Sequence, residues 1–323
     1  MKKIMYALIA FALSFNVYSQ SPTDKQTVKI IVPTAAGGGL DAISRIVGKN
    51  LSEIMKVPVI VENKPGANGI IAAKSVLSEE SNGRTLLFYA PHSYTLNNLF
   101  AESGNGNQTF EWDKELTPVS MMYWSPFILT VNKKLNVNNM SELREKFKNK
   151  EISFGSTGSG TPLQIYSEVI FDKLGIKSVH VPYKSLPLVV NDVLNGTLDV
   201  VVAGTGTVAP HIKAGNLVPL LTFSDKVNAE FPNVQTLMGT FSEYSNLKVV
   251  GSFLVSKDTD PAIREKLRKD IELAKRNTME ELRQRGLIDA SESIVLDEKK
   301  MKQVEKNWIT AVEKVKSRQQ LPK

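Results

Sequence analysis

The alternation of short, apolar, β-branched runs with amphipathic helical stretches constrains the fold of this chain more than any other sequence feature. Seven such runs predict buried strands, at Val28–Val32, Val57–Val61, Thr85–Tyr89, Phe127–Val131, Val179–Val181, Asp199–Ala203 and Leu217–Thr222. Apolar residues at helical spacing predict helices between them, at Asp41–Met55, Pro162–Leu174 and Leu188–Leu194. Strands that alternate with helices indicate an α/β fold with mostly parallel sheets.

The C-terminal part of the chain is predicted to be helical. Asp260 and Pro261 provide an N-cap and a first helical residue, and the following helix should end near Gly286. A last helix from about Asp297 turns an apolar face inward, formed by Met301, Val304, Trp308, Val312 and Val315. A chain of 323 residues can form two domains, and no flexible linker separates them. We therefore predict two lobes joined by crossing strands, with residues 20–123 and 251–323 in lobe 1 and residues 124–250 in lobe 2.

The first 19 residues have the pattern of a secretory signal peptide. Lys2 and Lys3 precede the apolar stretch Ile4–Phe15, which is too short for a membrane anchor, and small residues precede a cut after Ser19. A buried first helix is the alternative interpretation. The chain contains no cysteine, so lipid attachment at this cut, disulfides and cysteine-ligated zinc or iron–sulfur sites are excluded. The prediction is a soluble periplasmic protein.

The charge is modest and positive. The whole chain carries +7, and removal of Lys2 and Lys3 leaves 38 basic against 33 acidic residues, or +5. No basic stripe with interleaved aromatic residues is present, which argues against nucleic-acid binding, whereas a weak positive field favours anionic ligands. His92, His180 and His211 share no spacing typical of metal ligands. We expect neither a metal nor a cofactor.

Two segments share the pattern of a strand, a loop of small residues and a helix. The first contains Thr34, Ala35, Ala36, Gly37 and Gly38, and the second contains Ser156, Thr157, Ser159 and Thr161. Such loops expose backbone N–H groups at a helix N-terminus, where the helix dipole favours an anion. Two of them could hold the two ends of a small diacid. Ordinary strand-to-helix turns are the alternative. Thr161 stands where a Walker A motif requires lysine, so a P-loop is not indicated.

Three residues in these segments have competing interpretations. Asp41 could orient the first loop or contact a ligand, or it could be an ordinary acidic residue in a first helical turn. Ser156 or Ser159 could be the nucleophile of an exported hydrolase, but the sequence does not show the base that such a nucleophile requires.

At these two loops the chain strongly resembles the tricarboxylate-binding receptor family, also called the Bug family of periplasmic solute-binding proteins. The resemblance extends over about residues 27–318, and its markers occur in a specific order. They are Ile31–Pro33 with Ala36, Gly37, Gly38 and Asp41, then Val61–Gly69, Gly83–Leu87, Leu116–Val119, Phe154–Thr161, His180–Lys184 and Pro210–Gly215.

This resemblance implies a two-lobed periplasmic binding fold that closes on a small carboxylate in the interlobe cleft, not an enzyme. Family members deliver ligands to a tripartite tricarboxylate transporter or, in an alternative role, serve sensing through a membrane histidine kinase. We expect a monomer. The resemblance implies the following ligand-binding residues: Thr34, Ala35, Ala36, Gly37, Gly38, Asp41, Ala90, His92, Ser156, Thr157, Ser159, Thr161, Tyr183, Ala203, Gly204 and Thr205.

The chain departs from the family pattern on the cleft wall. Thr34 and Ala35 replace the usual aromatic residue and proline, and Ser185 and Leu186 replace the usual glycines. Ala203 replaces a common acidic residue, which argues against an amino-acid ligand because its ammonium group needs a carboxylate. A dicarboxylate, tricarboxylate or aromatic acid is therefore the expected ligand.

Overall fold

The computed structural model describes residues 27–101, 108–123, 127–224, 226–228, 230–288 and 298–319. The predicted signal peptide and Asp297 lie outside these residues, as do Trp124 and the predicted lobe boundary beside it. Eleven strands occur in the described part of the chain: β1 (Val28–Val32), β2 (Val59–Asn63), β3 (Thr85–Tyr89), β4 (Leu116–Tyr123), β5 (Phe127–Asn132), β6 (Ile152–Ser156), β7 (Ser178–Pro182), β8 (Val200–Gly204), β9 (Leu217–Thr222), β10 (Gln235–Thr236) and β11 (Val250–Ser256).

The helices pack on the faces of the two sheets. In chain order they are α1 (Gly39–Met55), α2 (Ile70–Leu77), α3 (His92–Ala101), α4 (Trp112–Glu115), α5 (Met140–Phe147), α6 (Pro162–Leu174), α7 (Leu186–Asn195), α8 (Thr205–Lys213), α9 (Leu237–Thr240), α10 (Pro261–Gln284) and α11 (Glu298–Gln319). Short 3₁₀ turns occur at Ala67–Gly69, Lys133–Leu135 and Ser242–Tyr244. Among the described residues, none of these helices has the length and apolarity needed to cross a membrane.

Two mixed sheets form the two lobes. One sheet has the order β2-β1-β3-β11-β4, and the other has the order β10-β9-β5-β8-β6-β7. β1, β2 and β3 are parallel, as are β6, β7 and β8, whereas β11 is antiparallel to β3 and β5 is antiparallel to β8. The prediction of an α/β two-lobed fold with mostly parallel sheets is confirmed, because β11 and β5 are the single strands that run against the others in their sheets among the described residues.

The antiparallel pairs follow from the way the chain crosses between the lobes. Within a lobe, a strand followed by a crossover helix returns parallel to its neighbour. β5 and β11 instead enter their sheets from the opposite lobe, so they begin at the edge where the parallel strands end. The exact lobe boundaries remain a prediction.

Most predicted elements match, and the differences have local causes. β2 begins at Val59 instead of Val57, because Lys56 adopts a left-handed conformation after α1 and Pro58 has no N–H for the ladder. β11 was not predicted because Gly251 and Ser252 interrupt its apolar pattern. A Cβ on Gly251 would lie 2.9 Å from the Phe88 ring, so close packing requires glycine there.

Helix α11 contacts both lobes. Trp308 is fully buried, and its ring lies 5.6 Å from His92 in α3 and 4.9 Å from Tyr166 in α6. Its Nε1 donates to the Lys248 carbonyl at 2.8 Å, and Tyr166 donates to the Leu247 carbonyl at 2.5 Å. The C-terminal helix therefore packs against the crossing segment that leads into β11.

Candidate functional site

A cavity of about 740 Å³ lies between the two sheets, at the carboxyl ends of their parallel strands. This edge is where open α/β sheets place their ligands. Its lining comes from both lobes: the loop after β1, the turn before α2, and α3 on one side, and the loops after β6 and β7 on the other. The volume is in the range of small-molecule sites, which is roughly 300–1,000 Å³.

Asp41 organises the loop that follows β1. Its carboxylate is 4% exposed and accepts hydrogen bonds from the Gly37 N–H at 3.0 Å and from Asn63 Nδ2 at 3.0 Å, together with an ion pair to Arg45 at 2.9 Å. Burial alone would raise the pKa of Asp41, but the bonds from Arg45, Gly37 and Asn63 outweigh burial and lower it. Asn63 also donates to the Thr34 carbonyl at 3.0 Å. Asp41 thus orients the loop instead of facing the cavity.

The loop after β6 is held by its own hydroxyl groups. Ser156 Oγ donates to the Gly158 carbonyl at 2.9 Å, and Thr161 Oγ1 donates to the same oxygen at 2.8 Å. His180 Nε2 lies 2.7 Å from Ser156 Oγ. Because the serine proton is already donated to Gly158, we assign the imidazole as the donor in that contact.

This Ser156–His180 pair is not placed to act on a molecule in the cavity. Ser156 is fully buried and does not line the cavity. Burial lowers the pKa of His180 to about 4, and an imidazole that donates its Nε2 proton to serine cannot accept the serine proton through the same nitrogen. The pair fixes the loop conformation.

Three helices begin at the cavity. The N-caps of α1, α6 and α7 are Gly38, Thr161 and Ser185, and in the described structure none of them makes a side-chain cap hydrogen bond. All three caps line the cavity. The first N–H groups of a helix lack intrahelical partners, and the helix dipole adds partial positive charge to them. Three such ends directed at one space favour an anionic group there.

The remaining lining combines one charge with apolar walls. Among the described lining residues, only Lys184 carries a formal charge, and its side chain is exposed. Leu40, Leu163, Leu186 and Phe127 contribute apolar surface. The other polar residues of the lining are uncharged, so the cavity suits an acid with an apolar body.

Two hydroxyl groups at the cavity differ in their bonding. Thr34 Oγ1 is buried and has no hydrogen-bond partner among the described residues. The hydroxyl of Tyr183 instead donates to Asp192 at 2.5 Å, and this bond raises the pKa of Tyr183.

The structure brings together about half of the predicted site residues. Seven of them line the cavity: Thr34, Ala35, Gly38, Thr157, Ser159, Thr161 and Tyr183. Ala36 and Gly37 lie in the same loop as Thr34 but are exposed and do not line the cavity. Asp41 and Ser156 lie behind the loops and support them.

Five other predicted residues do not line the cavity. His92 is 2% exposed, is stacked on Trp308, and has no hydrogen-bond partner for either ring nitrogen within the described structure. Burial lowers the pKa of His92 to about 3, so it is a neutral core residue. Ala90 is 1% exposed, and its carbonyl accepts from the Ser93 N–H.

The segment Ala203–Thr205 also lies away from the cavity. The start of α8 is covered by the turn after α10, where the backbone of Arg285 comes so close that a Cβ on Gly206 would lie 2.6 Å from its carbonyl oxygen. Thr205 and Gly206 therefore pack against that turn. Ala203, Gly204 and Thr205 do not line the cavity, and the loop Pro182–Pro187 forms part of its wall instead.

Sequence reasoning missed several lining residues, chiefly Asn68, Asn97, Gln108 and Lys184. Asn68 belongs to the segment Val61–Gly69, in which a Pro-Gly pair and a second glycine indicate a turn of unusual backbone geometry. The sequence therefore indicated this unusual turn. Asn97 and Gln108 gave no comparable local signal.

Comparison with known proteins shows sequence similarity to one family. Residues 43–308 match the model of the tripartite tricarboxylate transporter family receptor. A UPF0065 protein of Cupriavidus necator is 31% identical over 77% of this chain and 75% of its own length. Protein BugT of Bordetella pertussis is 27% identical over 89% of this chain and 84% of its own length.

Solved structures share the fold. An R. palustris protein with adipate superposes with a TM-score of 0.77 at 20% identity, covering 91% of this chain and 97% of that one. MatC of Rhodopseudomonas palustris with bound malate has a TM-score of 0.74 at 18% identity, covering 90% and 98% of the two chains. Because the family model spans most of the chain, this protein belongs to the tripartite tricarboxylate transporter receptor family of solute-binding proteins.

Proposed function

We propose that this protein is a periplasmic receptor that binds a small organic acid between its lobes. The observation that carries the proposal is the convergence of three helix N-termini, without side-chain caps in the described structure, on one cavity. One carboxylate of the acid lies between the loop Thr34–Gly38 and the loop Thr157–Thr161, where it accepts N–H and hydroxyl hydrogen bonds. Thr34 and Thr161 are among the residues of these loops that line the cavity.

The ligand class that fits the remaining surface is a dicarboxylate with an apolar middle. Lys184 and the start of α7 provide a second positive region, and Leu163 and Leu186 lie among the apolar residues of the walls. Adipate and malate, which accompany two proteins of the same fold, are both dicarboxylates, and adipate has an apolar middle. The described lining offers no carboxylate for an ammonium group, so acidic amino acids fit less well.

The cellular role follows from the family. Cleavage after Ser19 releases the mature receptor into the periplasm, and the receptor delivers its acid to the membrane subunits of a tripartite transporter. The description of the matching family supports this role. A monomer suffices, since one chain supplies both walls of the cavity.

A thermal-shift screen of the mature chain tests the proposal. The panel contains malate, adipate, succinate, citrate, glutamate, benzoate and hexanoate. A ligand at 100 times its Kd adds roughly 2.7 kcal/mol to the free energy of unfolding, which corresponds to about 5 °C. We expect stabilisation by dicarboxylates. A panel in which no acid shifts the transition would contradict the proposal.

The ligand class is tested with a Lys184→Met variant and titration calorimetry. Loss of the cation should raise the Kd for adipate at least about tenfold while changing the Kd for hexanoate less than about twofold, because only adipate has a second carboxylate. Lys148→Met is the matched control, since Lys148 is an exposed lysine directly after α5 that does not line the cavity. Equal losses for both acids would refute the role of Lys184.

A further inference from the structure

The loop of lobe 2 that we place on the ligand is hydrogen-bonded directly to lobe 1. Asn68, in the turn before α2, donates from Nδ2 to the Ser159 carbonyl at 2.6 Å and to Asn97 Oδ1 at 2.5 Å. Both protons of this amide group are thereby used. Asn97 in turn donates to the Gln108 carbonyl at 2.6 Å, which fixes its orientation. A single side chain therefore joins the two walls of the cavity.

Close backbone contact accompanies these bonds. A Cβ on Gly158 would lie 2.3 Å from Asn68 Oδ1, and a Cβ on Gly160 would lie 2.8 Å from the Asn97 Cα. Both glycines have positive φ, +141° and +79°. The loop Thr157–Thr161 reaches lobe 1 only because it has no side chain at these two positions. The backbone of this loop is thus adapted to its contact with Asn68 and Asn97.

The backbone of lobe 1 is strained at the same place. Ala67 and Asn68 both adopt left-handed conformations, with φ of 44° and 49°, between Gly66 and Gly69. Such conformations cost free energy for residues other than glycine, and they persist at ligand clamps where the surrounding structure imposes them. Asparagine tolerates this region better than most residues. The strain aims the Asn68 amide at lobe 2.

We propose that Asn68 is a positioning residue that closes the lobes in the absence of ligand and sets the rate of ligand release. Its two hydrogen bonds favour the closed arrangement, so opening must break both of them before a ligand can leave. The effect on the lobes needs no ligand. Only the effect on ligand release rests on the proposed function.

The test measures the separation of the lobes in ligand-free protein. Because the chain contains no cysteine, spin labels can be attached at Ile71→Cys and Leu188→Cys. These residues are about half exposed and lie on opposite lobes beside the cavity. Double electron–electron resonance then reports the distance between the labels.

Two substitutions remove the amide donor and keep the backbone. Asn68→Gly accepts the left-handed conformation without a side chain, and Asn68→Asp keeps the shape but directs carboxylate oxygens at Ser159 and Asn97. Asn98→Ala is the matched control. Asn98 makes two hydrogen bonds to the backbone of Phe110 within lobe 1 and does not line the cavity.

We expect a short distance in the wild type and in Asn98→Ala, and a longer, broader distribution in both Asn68 variants. For any acid that binds, ligand dissociation from Asn68→Gly should be about 5- to 150-fold faster, as expected for the loss of two neutral hydrogen bonds. Wild-type distances in the Asn68 variants, or a long distance in the ligand-free wild type, would overturn the proposal. Either result is readable even if no acid in the panel binds.

Discussion

Substitution of Asp41 by asparagine should loosen the loop after β1 and thereby weaken ligand binding, although Asp41 does not line the cavity. The carboxylate of Asp41 is an acceptor for three groups: the Gly37 N–H, Asn63 Nδ2 and the Arg45 guanidinium. Asparagine has the same shape but a single carbonyl oxygen, and its amide would face donors. At least one of these donors then loses its partner.

The size of the effect can be worked from these contacts. A hydrogen bond to a buried charged group contributes about 1.5–3 kcal/mol, and Asp41 is 4% exposed. Arg45 is half exposed, with 52% of its side-chain surface accessible, so its ion pair contributes only about 0.5 kcal/mol. If asparagine retains one of the two part-buried bonds, the loss of the other bond and of the ion pair is about 2–3.5 kcal/mol. For a chain of this size that lowers Tm by about 4–6 °C.

The assay is urea unfolding of Asp41→Asn at several pH values, with Asp258→Asn as an exposed control. The folded-state pKa of Asp41 is lowered, so its stabilisation is complete above the ordinary pKa of about 3.9 and is lost as the pH falls through the folded pKa. The difference between wild type and variant should therefore be largest near pH 7 and shrink below about pH 4. A variant with unchanged stability and unchanged ligand affinity would refute the role of Asp41 in orienting the loop.

Three further substitutions test buried contacts within the two lobes. His92→Phe should stabilise the protein by about 1 kcal/mol, because it removes an imidazole whose nitrogens have no partner in the described structure. The substitution should also weaken the pH dependence of the free energy of unfolding. Because the folded-state pKa of His92 is about 3, the wild type loses stability as the pH falls from about 6.5 towards 3. Urea unfolding at pH 7 and pH 5 measures both effects. Lys275→Met should lower the free energy of unfolding by about 3–5 kcal/mol in the same assay, since the fully buried Lys275 pairs with Glu272 at 2.7 Å and its loss leaves that carboxylate without its cation. Adding Glu272→Gln should recover part of this stability. No recovery would exclude the ion pair as the cause. Gly155→Ala should cost about 1–3 kcal/mol by calorimetric Tm, because its Cβ would lie 2.5 Å from Val189 Cγ1; an unchanged Tm would show that this contact relaxes freely.

Local patterns were sufficient for the regular elements of the fold. β1, β3 and β9 and helix α6 begin and end where their apolar periodicity predicts, and Gly175 and Gly196 cap helices in the left-handed conformation. These features depend on residues within one turn or one strand. Strand β11 could not be predicted from its local pattern, because close packing against the Phe88 ring requires Gly251 in place of an apolar residue.

The candidate site also combines features that the local sequence predicts with features that depend on packing. The two loops of small residues were evident from the sequence, because a strand, a glycine-rich loop and a helix are consecutive in the chain, and seven predicted residues line the cavity. The sequence did not decide which neighbouring loops complete the cavity. The turn after α10 covers Thr205 and Gly206, and the loop Pro182–Pro187 lines the cavity instead.

The sequence by itself therefore determined the class of fold, the two loops and the positive character of the site, since each depends on residues adjacent in the chain. The tertiary structure alone decided that His92 is a core residue against Trp308 and that Asn68 joins the lobes through Ser159, 91 positions away. Contacts over such separations depend on how two lobes pack. No local pattern of hydrophobicity or propensity carries that information.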